Sequence, residues 1–473
     1  MEQHAEGEAR IGLLSFSDGR KRVHKSLEAG IREHQDHLQA IIEQSGAAAA
    51  VAEEVAHSPR IAVREARKLL AADVAAVVFN IPVFAFPNFA ALAARVLRKP
   101  VAILSPAQPD LPGMGGLLAA GGALHQMGIR HERIWGPYGS DATRRRLGTF
   151  IHAAGAAHRL TGQVYGQIGG RSIGMLTGVS SPPAEWLRVF GVDIDHADES
   201  EILRIADTIG GTERERMVAW LEEHLRSVRF EEGSKLTRES LAYQAACAAA
   251  AKQIAREREF DFIGVKCHFD LSEYYCTQCL SAAFLPASLD WDGPREPMVC
   301  ACEADGDGAL TMQILQLLSG LPALFLDLRH YDRDSGLWTL CNCGGQSVFY
   351  ARRSEEPEEN LAAVDLVPVI PKYGGVGAHV PYVGAPGPMT FARLVHDEHE
   401  ASLVAFRGEA VPGEEEWMQR SCPAWPHIFA SLDADHRAVL SGLHANHIHA
   451  VADDWMDELE AFAGIVGIPF TEL

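Results

Sequence analysis

The chain has 473 residues, more than one hydrophobic core usually organises, and its 47% hydrophobic content is that of an ordinary globular protein. Its 42 Lys and Arg against 63 Asp and Glu give a formal net charge of −21, which repels a phosphate backbone and argues against nucleic acid as a partner. The polar, acidic Met1–Arg10 lacks the apolar core of a secretory signal, and the apolar stretch from Leu69 to Ala94 is broken by Asp73, Asn80, Pro82, Pro87 and Asn88, so no membrane span is expected and a cytoplasmic protein of two or three domains is.

Taken in chain order, a short strand over Arg10–Ser15 leads through the turn Ser17-Asp18-Gly19 into an amphipathic helix from about Val23 to Gln44. Ala75–Asn80 and Pro100–Leu104 read as buried parallel strands, and Arg145–Gln163 as a long helix leaving this layer. A boundary near residue 165 follows. The second segment opens with Arg171–Thr177 as a strand, continues through helices around Glu201–Arg229 and Arg238–Glu259, and then carries strands at Asp261–Cys267, Pro297–Glu303, Pro322–Leu328 and Leu337–Asn342. Gly308–Ser319 is helical, with Leu310, Ile314, Leu317 and Leu318 on one face. A Glu-rich stretch over Ala351–Asn360 reads as a linker. The remainder is Gly- and Pro-rich from Pro371 to Pro388, strand-forming, and closed by a helix near Asp453–Val466. The pattern is α/β, with two consecutive Rossmann-like domains of parallel sheet, residues 1–165 and 166–350, followed by a smaller, mainly β domain, residues 351–473.

Nine cysteines is an odd number, and free thiols fit it best. Cys276-Thr-Gln-Cys279 has the spacing of half a zinc site, but no second CxxC follows, and Cys300/Cys302 and Cys341/Cys343 are i, i+2 pairs within strands. The dinucleotide fingerprint is also missing. Neither Gly113-Met-Gly115-Gly116 nor Gly166-Gln-Ile-Gly169-Gly170 gives GxGxxG between strand and helix, which disfavours an NAD-type oxidoreductase.

The segment that carries most chemistry is Pro297-Met-Val-Cys-Ala-Cys-Glu303-Ala-Asp305-Gly-Asp307, an apolar strand ending in a carboxylate and a glycine-bearing loop. After the helix, Pro322-Ala-Leu-Phe-Leu ends in Asp327. Read as one βαβ unit, the two acids stand at neighbouring strand ends ~4.8 Å apart, where they can share a cation. Asp305 and Asp307 read as N-terminal capping acids of the helix. Imidazoles for a mixed oxygen and nitrogen site are available in His444-Ala-Asn446-His447-Ile-His449.

Several of these motifs resemble the L-fucose isomerase family. Ser288-Leu-Asp290-Trp291-Asp-Gly293-Pro-Arg295-Glu296-Pro297 running into Cys302-Glu303-Ala-Asp305, and then Phe325-Leu-Asp327-Leu-Arg329-His-Tyr331, is similar to that family's core. Ile11-Gly12 with Asp18-Gly19-Arg20-Lys21 and Ser26-Leu27-Glu28 looks like its first strand and helix, and Gly169-Gly170-Arg171-Ser172-Ile-Gly174-Met175 like the opening of its second domain. Gly374-Gly375 to His379, Pro388-Met389-Thr390-Phe-Ala-Arg393-Leu394, Trp425-Pro426 and Ala445-Asn446-His447 follow in the family's order.

The resemblance implies a metal-dependent aldose–ketose isomerase acting on a free sugar through a cis-enediol(ate). It places metal ligands on Glu303, Asp327 and His447 and the acid/base carboxylates on Glu303 and Asp327. Trp425 and Asn446 fall on sugar-contacting positions, with Arg20, Lys266 and Cys343 as further substrate contacts. The cofactor it implies is a divalent metal, foremost Mn²⁺, with Mg²⁺, Co²⁺ or Zn²⁺ also suited, and the assembly is a homo-hexamer. The chain departs from the pattern at Lys266, where a glutamine is expected, at Cys343, where a serine is expected, and at Leu14, where an arginine is expected. The sugar therefore stays open among L-fucose, D-arabinose, L-arabinose and a modified or anionic hexose. A metal-dependent sugar-binding protein without turnover is the alternative.

Overall fold

Five short strands, β1 (Arg10–Ser15), β2 (Ala48–Val51), β3 (Ala76–Asn80), β4 (Val101–Ser105) and β5 (Glu132–Trp135), pair as one parallel sheet in the order β2-β1-β3-β4-β5. Every residue of β3 and β4 is buried, as expected of strands covered on both faces. The cover comes from α1 (Lys21–Gln44), α2 (Pro59–Ala71), α3 (Pro87–Leu97), α4 (Gly113–Gln126) and α5 (Asp141–Leu160). α2 shows why a helix starts where it does: Pro59 takes the first position, where no N–H is needed, and the Ser58 hydroxyl accepts from Ile61 N. The computed structural model describes residues 9–177, 182–231, 233–396 and 400–473. The chain divides into two units, Met1–Arg159 with Asp457–Gly467, and Leu160–Met456 with Ile468–Leu473.

The second unit holds a parallel sheet, β6 (Val164–Ile168), β7 (Asp193–Ala197), β8 (Phe262–Val265) and β9 (Cys300–Cys302), in the order β9-β8-β6-β7. The strand expected at Arg171–Thr177 lies earlier, at β6. Gly169 and Gly174, with φ of 90° and 80°, turn the chain where extension was expected, and Ile173 and Leu176 stay exposed instead of lining a core. Along one side runs α6 (Arg238–Glu257), opened by a capping box between Thr237 and Ser240. The stretch read as a linker, 351–360, packs within this unit: Ala351 and Asn360 are buried, and the Asn360 amide donates to Ser354 O.

Six further strands close on themselves. β10 (Leu324–Tyr331), β11 (Trp338–Cys341), β12 (Gly387–His396), β13 (Ala401–Ala410), β14 (His427–Leu432) and β15 (His447–Ala452) pair antiparallel in the ring β12-β15-β10-β11-β14-β13 and back to β12. β16 (Phe470–Glu472) adds in parallel to β13. Closure removes the unpaired edges that an open sheet would expose. The fold is thus α/β with parallel sheets and a β-rich C-terminal region, and β10 and β11, which precede residue 350, share that region's sheet. Among the described residues no helix is long and apolar enough to cross a membrane.

Between the second parallel sheet and this closed sheet lies α7 (Gly306–Ser319), buried along nearly its whole length. It joins β9 to β10, yet the three do not form a βαβ unit. β9 belongs to the parallel sheet, whereas β10 runs between two antiparallel partners, β11 and β15. Glu303 and Asp327 therefore come from different sheets, and Asp327 sits within its strand rather than at its end.

Candidate metal centre

The carboxyl ends of β8 and β9 are adjacent, with Val265 opposite Cys302, so the residues that leave these strands, Lys266 to His268 and Glu303, gather at one sheet edge. Ligands of parallel sheets bind at that edge. The chain leaves β9 abruptly. Glu303 and Ala304 both adopt the left-handed conformation, φ 61° and 52°, which costs a non-glycine residue about 1–2 kcal/mol. Such strain persists where the surroundings over-determine it, commonly at functional sites. Asp305 then caps α7, its Oδ1 accepting from Gly308 N at 2.9 Å.

From the closed sheet come Asp327 and His447, paired residues of β10 and β15. His447 Nε2 lies 3.7 Å from Asp327 Oδ1 and 3.8 Å from Glu303 Oε2. These separations exceed a good hydrogen bond, and donors bound to one ion at ~2.1 Å stand about 3–3.5 Å apart. Glu303 and His447 are buried, and Asp327 is half-buried. Among the described residues Glu303 Oε2 has no hydrogen-bond partner. Burial and the nearby Cys343 push the Glu303 carboxyl up to about 7, and burial likewise raises Asp327. Two carboxylates disfavoured as anions, one with an orphaned oxygen, together with an imidazole nitrogen, are a donor set that fits a divalent cation.

Behind His447 stands a charged network that sequence reading reduced to a helix cap. Asp305 Oδ2 accepts from His447 Nδ1 at 2.7 Å and from Arg393 Nη1 at 2.6 Å, and Oδ1 takes Arg393 Nη2 at 3.0 Å. Burial opposes its ionisation, but Arg393 and His447 hold the Asp305 carboxyl well below the usual range. Asp305 thereby fixes the proton on Nδ1 and leaves Nε2 to face the two acids. His447 is raised by the same contact, against burial. His449 is different: its Nε2 accepts from Arg393 at 2.9 Å, and burial keeps it far below its ordinary value. His444 is exposed. Of the three histidines, only His447 faces both acids.

The remaining predicted residues lie as follows. Asn446 stands exposed beside the acids, its amide donating to Asp327 Oδ1 at 3.5 Å and its carbonyl accepting from Thr177 at 3.2 Å. Cys343 Sγ is 3.8 Å from Glu303 Oε1 and 3.7 Å from Cys302 Sγ. The Cys302 thiol, and then His268, hold Cys343 well below the ordinary thiol value against burial. Trp425 is buried with Cys341, Val369 and Tyr373, and the Arg329 guanidinium lies 5.5 Å over its ring. Lys266 is at the same sheet edge but is engaged by Glu199 at 2.9 Å and Asp270 at 2.5 Å. Arg20 belongs to the first unit and pairs with Asp18. Sequence reading missed His268, whose Nε2 is 3.7 Å from Glu303 Oε1. Its position three residues past β8, at the edge that receives ligands, was the available signal.

Comparison with known proteins gives two matches to family models. Residues 8–162 match the "L-fucose isomerase, first N-terminal domain", and residues 340–473 the "L-fucose isomerase, C-terminal domain", together more than half of the chain. Glu303 and Asp327 fall between the two matched segments. The chain is 25% identical over 266 residues to an L-fucose isomerase of Klebsiella pneumoniae, 26% over 266 to one of Citrobacter koseri and 27% over 267 to one of Escherichia coli. Each match covers 49% of this chain and 44% of the relative, so it spans under half of those proteins' length.

Proposed function

The chain belongs to the L-fucose isomerase family, and we propose that it is a metal-dependent aldose–ketose isomerase of a free sugar, working through a cis-enediol(ate). The observation that carries this reading is the convergence of Glu303, Asp327 and His447 from two sheets around a buried carboxylate oxygen that has no hydrogen-bond partner among the described residues. Those three residues would hold a divalent cation, Mn²⁺ in the first instance, which polarises the sugar carbonyl and stabilises negative charge on its oxygens.

The proton chemistry belongs to the carboxylates. Aldose–ketose exchange takes a proton from C2, returns one to C1, and moves a hydroxyl proton between O1 and O2. Burial and Cys343 raise the Glu303 carboxyl to about 7 in the metal-free protein, which makes it a stronger base than an ordinary carboxylate. A bound cation would lower it again, and from that buried position it would take the carbon-bound proton and return it. Asp327, half-buried and also raised, is the second group. Because both would bind the one cation, the acid and base roles are assigned to the pair. Asp305 keeps the His447 imidazole turned to the acids.

Sugar contact is assigned to Asn446, which reaches Asp327, to Cys343, and to Trp425, whose ring a sugar could reach only if the Arg329 guanidinium moved aside. Lys266 is held between Glu199 and Asp270, so reading an anionic sugar would require it to exchange one of those carboxylates for the substrate's. We assign the protein to the cytoplasm, where nine free thiols persist, and to a homo-oligomer, a hexamer by family resemblance. The test is a screen of metal-reconstituted protein against L-fucose, D-arabinose, L-arabinose and anionic hexoses, read as ketose formed. Tight, metal-dependent sugar binding with no ketose from any of them would favour the binding-protein alternative.

A further inference from the structure

We propose that His268, Glu303 and Cys343 form a second, thiolate-containing site for a thiophilic divalent cation such as Zn²⁺, sharing Glu303 with the isomerase centre. The three ligand atoms form a nearly equilateral triangle: Cys343 Sγ to His268 Nε2 is 3.6 Å, His268 Nε2 to Glu303 Oε1 3.7 Å, and Cys343 Sγ to Glu303 Oε1 3.8 Å. Bond lengths of ~2.3 Å to sulfur and ~2.0 Å to nitrogen and oxygen at tetrahedral angles give edges of about 3.5, 3.3 and 3.5 Å. Closing onto an ion thus requires shifts of a few tenths of an ångström. Among the described residues this is the group whose ligand atoms all lie within 4.8 Å of one another.

The histidine is oriented for it. Ser272 Oγ gives its own proton to Phe269 O at 3.2 Å and so accepts from His268 Nδ1–H at 3.0 Å, which makes Nε2 the ring nitrogen that faces Cys343 and Glu303 and the one a cation would bind in place of a proton. The Tyr373 ring stacks on the imidazole, with centroids 5.1 Å apart, and holds its plane. Glu303 turns Oε1 to this triangle and Oε2 to His447. The fourth position is left to water or substrate. The hard oxygen and nitrogen donors on the Asp327 side suit Mn²⁺ or Mg²⁺, whereas a thiolate selects Zn²⁺ or Co²⁺. Any of the three groups still protonated gives its proton to solvent on binding.

The test uses the full chain, freed of metal and kept reduced, titrated with Co²⁺ in the absence of sugar and read as sulfur-to-cobalt charge-transfer absorbance. Wild type is expected to give the band, Cys343→Ser to lose it, and His268→Ala to weaken Co²⁺ binding by tenfold or more. Cys302→Ser, the neighbouring thiol, and Asp327→Asn, on the other centre, are expected to keep it. No band in wild type, a band that survives in Cys343→Ser, or one that depends on Cys302 instead would overturn the proposal. The readout involves no turnover, so an inactive protein that still shows the band counts against the isomerase reading alone.

Discussion

Asp327 and His447 are directly opposed residues of neighbouring antiparallel strands, with Oδ1 and Nε2 3.7 Å apart. Register alone sets that pair, because the Leu324–Tyr331 and His447–Ala452 strands are locked on both sides by the closed sheet. Glu303 arrives from the parallel sheet, so a cation held by all three ties two layers of the second unit together.

Metal binding should therefore stabilise the fold. At a free concentration about 100 times its Kd, a cation that binds only the native state adds about 2.7 kcal/mol. Thermal unfolding with and without Mn²⁺ measures this, and an unchanged midpoint would contradict a site between the layers.

Affinity should depend on pH with a definite sign. Burial, then Cys343, raises the Glu303 carboxyl from 4.5 to about 7, so below neutrality the cation must displace a proton. Mn²⁺ affinity is expected to weaken by at least about tenfold per pH unit below 7, more steeply where His447, also raised, must give up its proton as well, and to level off once both are deprotonated. Calorimetric titration across pH 5.5–8.5 (roughly the window that brackets this pKa) reads it, and a flat profile would refute the assignment.

Glu303→Gln should lose turnover by about 10²–10⁴-fold. In the metal-free protein it should leave stability intact or raise it at high pH. A carboxyl with a raised native pKa adds no cost below its unfolded value and destabilises as pH climbs through about 7, with a full cost on the order of 3 kcal/mol. Denaturant unfolding at pH 8 and pH 5 compares the two. A variant less stable than wild type at pH 8 only would run against this sign.

Asp305→Asn should act through His447. Loss of the carboxylate that orients a ligating imidazole typically weakens metal binding about 10–100-fold. It also leaves the buried Arg393 without its charge partner, a change worth about 3–5 kcal/mol in comparable buried pairs. Metal titration and thermal unfolding report the two effects separately, and wild-type affinity in a folded variant would remove Asp305 from the site.

Gly308→Ala should be poorly tolerated although it lies in a helix. An added Cβ would meet His449 Nε2 at 2.7 Å, Arg393 Nη1 at 2.8 Å and Asp305 Cγ at 2.8 Å. Overpacking of this kind costs about 1–3 kcal/mol, where alanine in an open helix position would stabilise. A variant as stable as wild type would show that the cluster can yield.

Much of the architecture was legible because its periodicities are local. The strand over 10–15, the helix to Gln44, the strands near 76–80 and 101–105, and the helix over 306–319 all follow from apolar runs and an amphipathic face. Sheet membership was not legible. The order strand, helix, strand around Gly306–Ser319 imitates a βαβ unit, and the antiparallel partners that claim the Leu324–Tyr331 strand lie at 338–341 and 447–452. The strand misplaced to 171–177 failed for a nearer reason: positive-φ glycines at 169 and 174 turn the chain just past the true strand.

At the site, Glu303 stood out as an acid ending an apolar strand, and Asp327 as an acid following one. Asp305 carried only its capping signal, since Arg393 and His447 reach it from 88 and 142 residues away. His268 was silent for the same reason, because Cys343 is 75 residues distant. Long-range contacts of this kind leave no spacing to read.

The central claim is that Glu303, Asp327 and a divalent cation together interconvert an aldose and its ketose. The most direct test follows ketose formation by NMR in three parallel samples: chelator-stripped wild type, wild type reloaded with Mn²⁺, and Mn²⁺-loaded Glu303→Gln. Ketose accumulating only in reloaded wild type is the predicted result, and conversion at the reloaded rate by stripped protein or by Glu303→Gln would contradict it.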